Sequence, residues 1–163
     1  MGGNMDFQQI VSKYNGQSNV GVNNTDNGQC TGFFERVMED NGYPFESGNA
    51  KDLFANANPS RFLKIVNNPN NPNQLPQPGD WFIFGAEPWN GSLGHVGMID
   101  SATPTSFVGL EQNNPTGFHK VQLVTHSGGN PYAGMIGWLR PGFEHPTPVP
   151  APAPAPTPVK WAV

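Results

Sequence analysis

The sequence predicts an α+β domain with N-terminal helices packed on an antiparallel β-sheet, and three observations predict it. Phe33, Phe34, Val37 and Met38 recur at i, i+1, i+4 and i+5, the spacing of one helix face. Beyond residue 80 the pattern changes to short β-rich segments. Gly, Pro, Asn and Ser separate those segments, as turns separate the strands of a meander.

Taken in order, an opening helix is expected in "MDFQQIVSKY". The next begins near Cys30 and stops near Gly42, and a shorter one falls in "AKDLFANA". "NNPNNPNQLPQPGD", residues 67–80, reads as a long surface loop ending in a Pro-Gly turn, dividing a helical half from a strand-rich half. The strands are expected in "DWFIF", "GHVGMID", "SFVGLEQN", "HKVQLVTH" and "MIGWLR".

From His145 the chain becomes "HPTPVPAPAPAPTPVK", where alternating proline removes backbone donors and favours an extended polyproline helix. Residues 1–144 are therefore expected to form one domain and 145–163 a Pro-rich linker toward a further C-terminal domain. At about 3.1 Å per residue, residues 146–158 would reach on the order of 40 Å.

With 8 Lys plus Arg against 12 Asp plus Glu, the net charge of -4 offers no broad basic face for nucleic acid. The N-terminus lacks the basic start and apolar run of an export signal, and no segment approaches the roughly 18 apolar residues of a membrane span. A single cysteine allows no internal disulfide, so packing alone must hold the fold.

That cysteine, Cys30, falls where a loop turns into a helix. Unpaired N–H groups and the positive end of the helix dipole favour thiolate there, although a lone cysteine is commonly a small buried hydrophobe. A nucleophile also needs a base and a group that orients the base. Along "GHVGMID", His95 points away from Val96 and Met98. Along "SFVGLEQN", Phe107, Gly109, Glu111 and Asn113 share a face. If the turn is centred on Thr103, His95 lies opposite Glu111 and Gly97 opposite Gly109, within reach of an imidazole–carboxylate hydrogen bond.

"GQCTGF", "LPQPGDWFIF", "GHVGMI", "LEQNN" and "IGWLRP" follow one another over about residues 28–141. In this order they resemble a CHAP domain, the cysteine, histidine-dependent amidohydrolase/peptidase family, a papain-like group common in bacteriophage endolysins. The resemblance implies the papain-like CHAP fold, with Cys30 as nucleophile and His95 as general base. Glu111 and Asn113 would be the polar groups that orient the imidazole or complete the site. The oxyanion would be held by the Cys30 N–H with the side chain of Gln29 or Asn113.

The implied substrate is an amide of peptidoglycan, either between N-acetylmuramic acid and L-alanine or within the stem peptide or cross-bridge. The resemblance further implies a monomer made in a phage host's cytoplasm that acts on the wall after release or from a virion, with a wall-binding domain beyond the linker. The alternatives are a papain-like protease or acyltransferase acting on protein, and a non-catalytic wall-binding module.

Many phage members carry an Asp-rich calcium loop before the cysteine and an Asp two residues after it. Here the loop reads "GVNNTDNGQC", with Asp26 its one carboxylate, and Gly32 follows. Calcium prefers several carboxylates, so no strong calcium site and no cofactor are expected, Asn side chains and carbonyls near Asp26 sufficing only for a weak one. His119 and His126, seven apart on one expected strand, point to opposite faces and make no zinc site. Trp81 is expected in the core and Trp89 as a loop anchor.

Overall fold

The computed structural model describes residues 4–24, 26–44 and 48–142. Helix α1, Phe7–Tyr14, starts with a reciprocal cap. The Asp6 carboxylate accepts from the Gln9 N–H at 2.9 Å, and the Gln9 side chain accepts from the Asp6 N–H at 2.9 Å. Phe7, Ile10 and Tyr14 form its buried stripe. Helix α2, Cys30–Asp40, buries Phe33, Phe34, Val37 and Met38, the face that the spacing predicts. The third expected helix is a single 3₁₀ turn, Ala50–Asp52, running into the one-turn α3, Leu53–Asn56.

Six strands form one antiparallel sheet: β1 Phe62–Val66, β2 Trp81–Phe84, β3 His95–Thr103, β4 Ser106–Glu111, β5 Gln122–Ser127 and β6 Met135–Pro141. Their spatial order is β1-β6-β2-β3-β4-β5. Strand β1 corrects the expected division at residues 67–80, because it precedes that loop and pairs with the last strand. It escapes a reading by composition because it is an edge strand whose Phe62 is buried while Leu63 and Val66 face outward. Strand β5 begins at Gln122, so His119 stands outside it.

Strand β2 is buried on both faces, which explains its unbroken apolar run. Trp81 and Ile83 face the helices, where the Trp81 ring meets Phe34 edge-on at 5.0 Å and Phe33 at 5.4 Å. Phe82 and Phe84 face a second cluster with Ile99, Phe107, Tyr132, Met135 and Trp138. The strand is further tied to β6 by a fork: Arg140 Nε and Nη2 each donate to the fully buried Asp80 carboxylate at 2.8 Å. Two of the quoted segments, "PGDW" and "WLRP", thus meet through one ion pair. No helix among the described residues is long and apolar enough to cross a membrane. The predicted linker, 145–163, lies outside the described residues.

Candidate active site

Cys30 is the first residue of α2, so its sulfur lies beside the helix's unpaired first-turn N–H groups. Gly32, two residues into that turn, lies against the preceding loop; a Cβ there would come within 2.0 Å of the Asp26 carbonyl oxygen. The sequence position at which an Asp is common in phage members is here reserved for close backbone packing.

His95 opens β3 opposite Phe84 and is 4% exposed. Its Nε2–H donates to Glu111 Oε2 at 2.8 Å, while its ring also hydrogen-bonds Cys30. With Nε2 on the carboxylate, Nδ1 is the nitrogen left for sulfur. The expected strand register is corrected. Pro104 and Thr105 form the turn, a bulge lies between Ile99 and Ser101, and Gly97, not His95, faces Glu111. Between Gly97 and Ile99 the displacement is two residues, which preserves the faces of the side chains there, so imidazole and carboxylate still meet as diagonal neighbours.

Glycine makes room for that meeting. A Cβ on Gly97 would come within 2.7 Å of Glu111 Cγ, and one on Gly109 within 2.4 Å of Glu111 Oε1. The fully buried carboxylate has donors on both oxygens. His95 and Asn114 Nδ2, at 2.7 Å, serve Oε2, and His126 Nε2–H serves Oε1 at 2.6 Å. His126 in turn lies flat on Phe107, its ring 4.3 Å away and 9° from parallel.

These contacts set the charges. Burial would raise the Glu111 carboxyl, but the hydrogen bonds from His126 and His95 hold it at about 2. Burial would lower His95, yet its hydrogen bonds to Cys30 and Glu111 raise it to about 10. Burial would raise the Cys30 thiol; the hydrogen bond and charge of His95, with backbone hydrogen bonds from Val96 and Thr31, lower it instead. The directions agree on an imidazolium–thiolate pair backed by a carboxylate.

Asn113 stands elsewhere than the alternation predicts. Strand β4 ends at Glu111, and Asn113 has φ of 63°, so the period-two pattern stops before it. Its Oδ1 accepts from the Gly117 N–H at 2.6 Å, which fixes the amide's orientation, and its Nδ2 donates to Gln29 Oε1 at 2.9 Å. The Gln29 amide is thereby turned so that Nε2 carries its free N–H groups. Asn114, not Asn113, is the amide on Glu111. Gln112, fully buried, donates through Nε2 to the carbonyls of Val20 and Gln29 at 2.8 and 2.7 Å and accepts from the Val20 N–H at 2.9 Å. Of the four consecutive residues of "EQNN", Glu111 holds the base, Gln112 and Asn113 hold the residue before the cysteine, and Asn114 holds the Glu111 carboxylate.

A cleft of about 350 Å³ opens on Cys30 and His95, with Gln29, Asn113 and Trp89 on its walls. Trp81 is in the core, and Trp89, 45% exposed, stands edge-on to His95 at 5.5 Å at the rim. Reading the sequence missed His126, Gln112 and Asn114. The parity of β5 could have found His126 once that strand was paired with β4, since Phe107 lies directly opposite it.

His119 donates from Nδ1 to the Gly28 carbonyl at 3.0 Å, supporting the loop before Cys30. In that loop Asp26 is the one carboxylate, and Asn23 Nδ2 donates to its Oδ2 at 2.6 Å. No cluster of three His, Cys, Asp or Glu suited to a metal occurs among the described residues.

A helix-tip thiol hydrogen-bonded to a sheet-borne imidazole that is backed by a carboxylate is the arrangement of groups that papain-like sites share. The family model for the CHAP domain matches residues 20–113, more than half of the chain, and the chain belongs to that family. Among solved structures it is similar to the wild-type endolysin LysIME-EF1, at 25% identity and a TM-score of 0.62, covering 86% of this chain and 66% of that one.

Similarity extends to Ly7917, crystallised with the hydrolyzing product of MDP, at 16% identity and a TM-score of 0.57 over 83% of this chain and 60% of that one. PlyC is similar at 20% identity and a TM-score of 0.56, over 82% of this chain and 33% of that one. The last two likenesses bear on the fold alone. The chain spans less than two thirds of the length of each of these structures. No curated protein matches the sequence.

Proposed function

We propose that this domain is a peptidoglycan hydrolase, the catalytic part of a phage lysin, cleaving an amide bond of the bacterial wall through Cys30 and His95. The observation that carries the reading is the hydrogen-bonded series from Cys30 through His95 to Glu111, placed at the floor of an open cleft. Membership of the CHAP family and likeness to an endolysin support the choice of substrate.

In the first step the Cys30 thiolate attacks the amide carbonyl, forming the C–S bond of a tetrahedral intermediate. Its oxyanion is held by the Cys30 N–H and by Gln29 Nε2, whose amide Asn113 keeps in the donating orientation. The imidazolium gives its proton to the leaving amine as the C–N bond breaks. His95, now neutral, takes a proton from water as its oxygen bonds to the thioester carbon; the intermediate collapses with breakage of the C–S bond to the carboxylic acid, which ionises to solvent, and to the Cys30 thiolate beside the His95 imidazolium, so the ion pair is restored. Glu111 stays ionised throughout and keeps the imidazole in one tautomer and orientation.

The test is incubation with purified sacculi. The expected result is loss of turbidity with appearance of new amine ends, abolished by Cys30→Ala and by His95→Ala in chains that still fold. Fragment masses then identify the bond as N-acetylmuramoyl-L-alanine or as a stem or cross-bridge peptide. Full activity remaining in either variant removes the mechanism, and clearance of protein substrates but not walls removes the substrate class.

A further inference from the structure

The cleft carries a second polar feature that hydrolysis does not use. Glu35 lies on α2 one turn beyond Thr31, and both line the cleft that holds Cys30. Glu35 is 7% exposed, and its Oε2 is buried with no hydrogen-bond partner. Its carboxyl also hydrogen-bonds Asp26, a second carboxyl on the same wall. Burial, then the charge and hydrogen bond of Asp26, push it up to about 7.

No Lys or Arg is among the described residues lining the cleft, and His95, the imidazolium that lines it, is held by Cys30 and Glu111. Arg36, the adjacent residue, turns to Glu39 at 2.9 Å and Asp40 at 2.7 Å on the other side of the helix. An unpartnered buried carboxyl oxygen costs free energy that a core built for stability alone would avoid. A bound ammonium group offers the missing donors and the missing positive charge together, and three N–H groups suit two carboxyls.

We propose that Glu35 and Asp26 form a subsite for a primary ammonium group of the substrate. Glu35 is five helical steps beyond Cys30, about 7.5 Å along the axis at about 1.5 Å each. An extended substrate advances about 3.3–3.6 Å per residue, which sets the ammonium roughly two residues from the scissile carbonyl. For wall peptides this selects strands bearing a free amino end or a diamino-acid side chain at that distance. That identification of the substrate rests on the hydrolase reading, whereas the subsite itself does not.

The test is equilibrium binding to the Cys30→Ala chain in chelator-treated buffer, followed by amide chemical shifts. The probes are triglycine amide and its N-acetyl derivative, which differ by one positive charge. The free amine is expected to bind at least about tenfold more tightly, as a charge-assisted contact requires. Glu35→Gln, which keeps the shape, should erase that advantage while leaving the acetylated probe unaffected, and Asp26→Asn should reduce it.

Equal binding of the two probes, or an advantage that survives Glu35→Gln with the fold intact, overturns the proposal. So does binding of calcium alone at micromolar concentration that excludes the amine. Should Glu35→Gln fail to fold, Asp26→Asn decides: an unchanged advantage overturns the proposal, and a reduced one supports it. If the probes discriminate as expected while sacculi remain intact with the unsubstituted chain, the hydrolase reading falls and the subsite stands.

Discussion

His126→Phe isolates one hydrogen bond in the catalytic series. The replacement ring can keep the flat contact with Phe107, 4.3 Å away, while the donor 2.6 Å from Glu111 Oε1 is lost. Oε2 keeps its two donors, but Oε1 has no other donor among the described residues at a carboxylate that is fully buried. A lost hydrogen bond to a buried charge costs about 1.5–3 kcal/mol.

Spread over the titration at 1.36 kcal/mol per unit, that loss raises Glu111 from about 2 by about one to two units, so it stays ionised at neutral pH. His95 therefore keeps its partner. The expected outcome at pH 7 is a Tm lowered by about 3–12 °C, at about 2–4 °C per kcal/mol, with kcat/KM reduced less than about tenfold. The pH dependence has a definite sign. Because Glu111 is depressed in the folded state, its contribution is present above pH 4.5 and is lost as pH falls toward 2, and the variant should lose less stability over that interval. Thermal melts from pH 2 to pH 8 measure this, with His126→Gln as a partial rescue because its amide can donate. Identical melts for the Phe variant and the unsubstituted chain would refute the reasoning.

Three further outcomes are expected. Gln29→Ala should lower kcat by about 10²–10³ with little change in KM if its Nε2 holds the oxyanion, and steady-state kinetics on a soluble amide substrate separates the two parameters. Asn113→Ala, which leaves Gln29 in place but frees its amide to rotate, should cost less than Gln29→Ala; an equal or larger loss would assign Asn113 a direct role. Activity should persist at alkaline pH until His95 deprotonates near 10, and on the acid side until the thiolate protonates below the usual thiol range, as a pH–rate profile would record. The stability contributed by His95, whose folded value is raised, is correspondingly full below pH 6.5 and lost between 6.5 and about 10.

What the sequence disclosed follows its periodicities. The face of α2 was readable because Phe33, Phe34, Val37 and Met38 repeat at helical spacing and all are buried. His95 and Glu111 were readable as same-face residues because parity survives a two-residue register error. Parity failed at Asn113, where a positive φ ends the strand, and the carboxylate's amide partner became Asn114. His126 was hidden because its role depends on strand pairing and on the room that Gly109, lacking a Cβ, leaves for the Glu111 carboxylate, neither of which is local. Glu35 gave no periodic signal at all, since it occupies a buried position of α2 that an apolar residue would ordinarily take.

The placement of β6 between β1 and β2 has a consequence for how the polypeptide acquires its shape during synthesis. The hairpins β3–β4 and β4–β5 can zip as they emerge, but β1 has no sheet partner until residues 135–141 arrive to seat beside it. Arg140 comes last of the ionic contacts among the described residues and closes on Asp80, sixty positions earlier. Translation must therefore pass that arginine before the barrier to unfolding reaches its full height, and nascent chains halted short of it should be far more open to proteases than those halted after it.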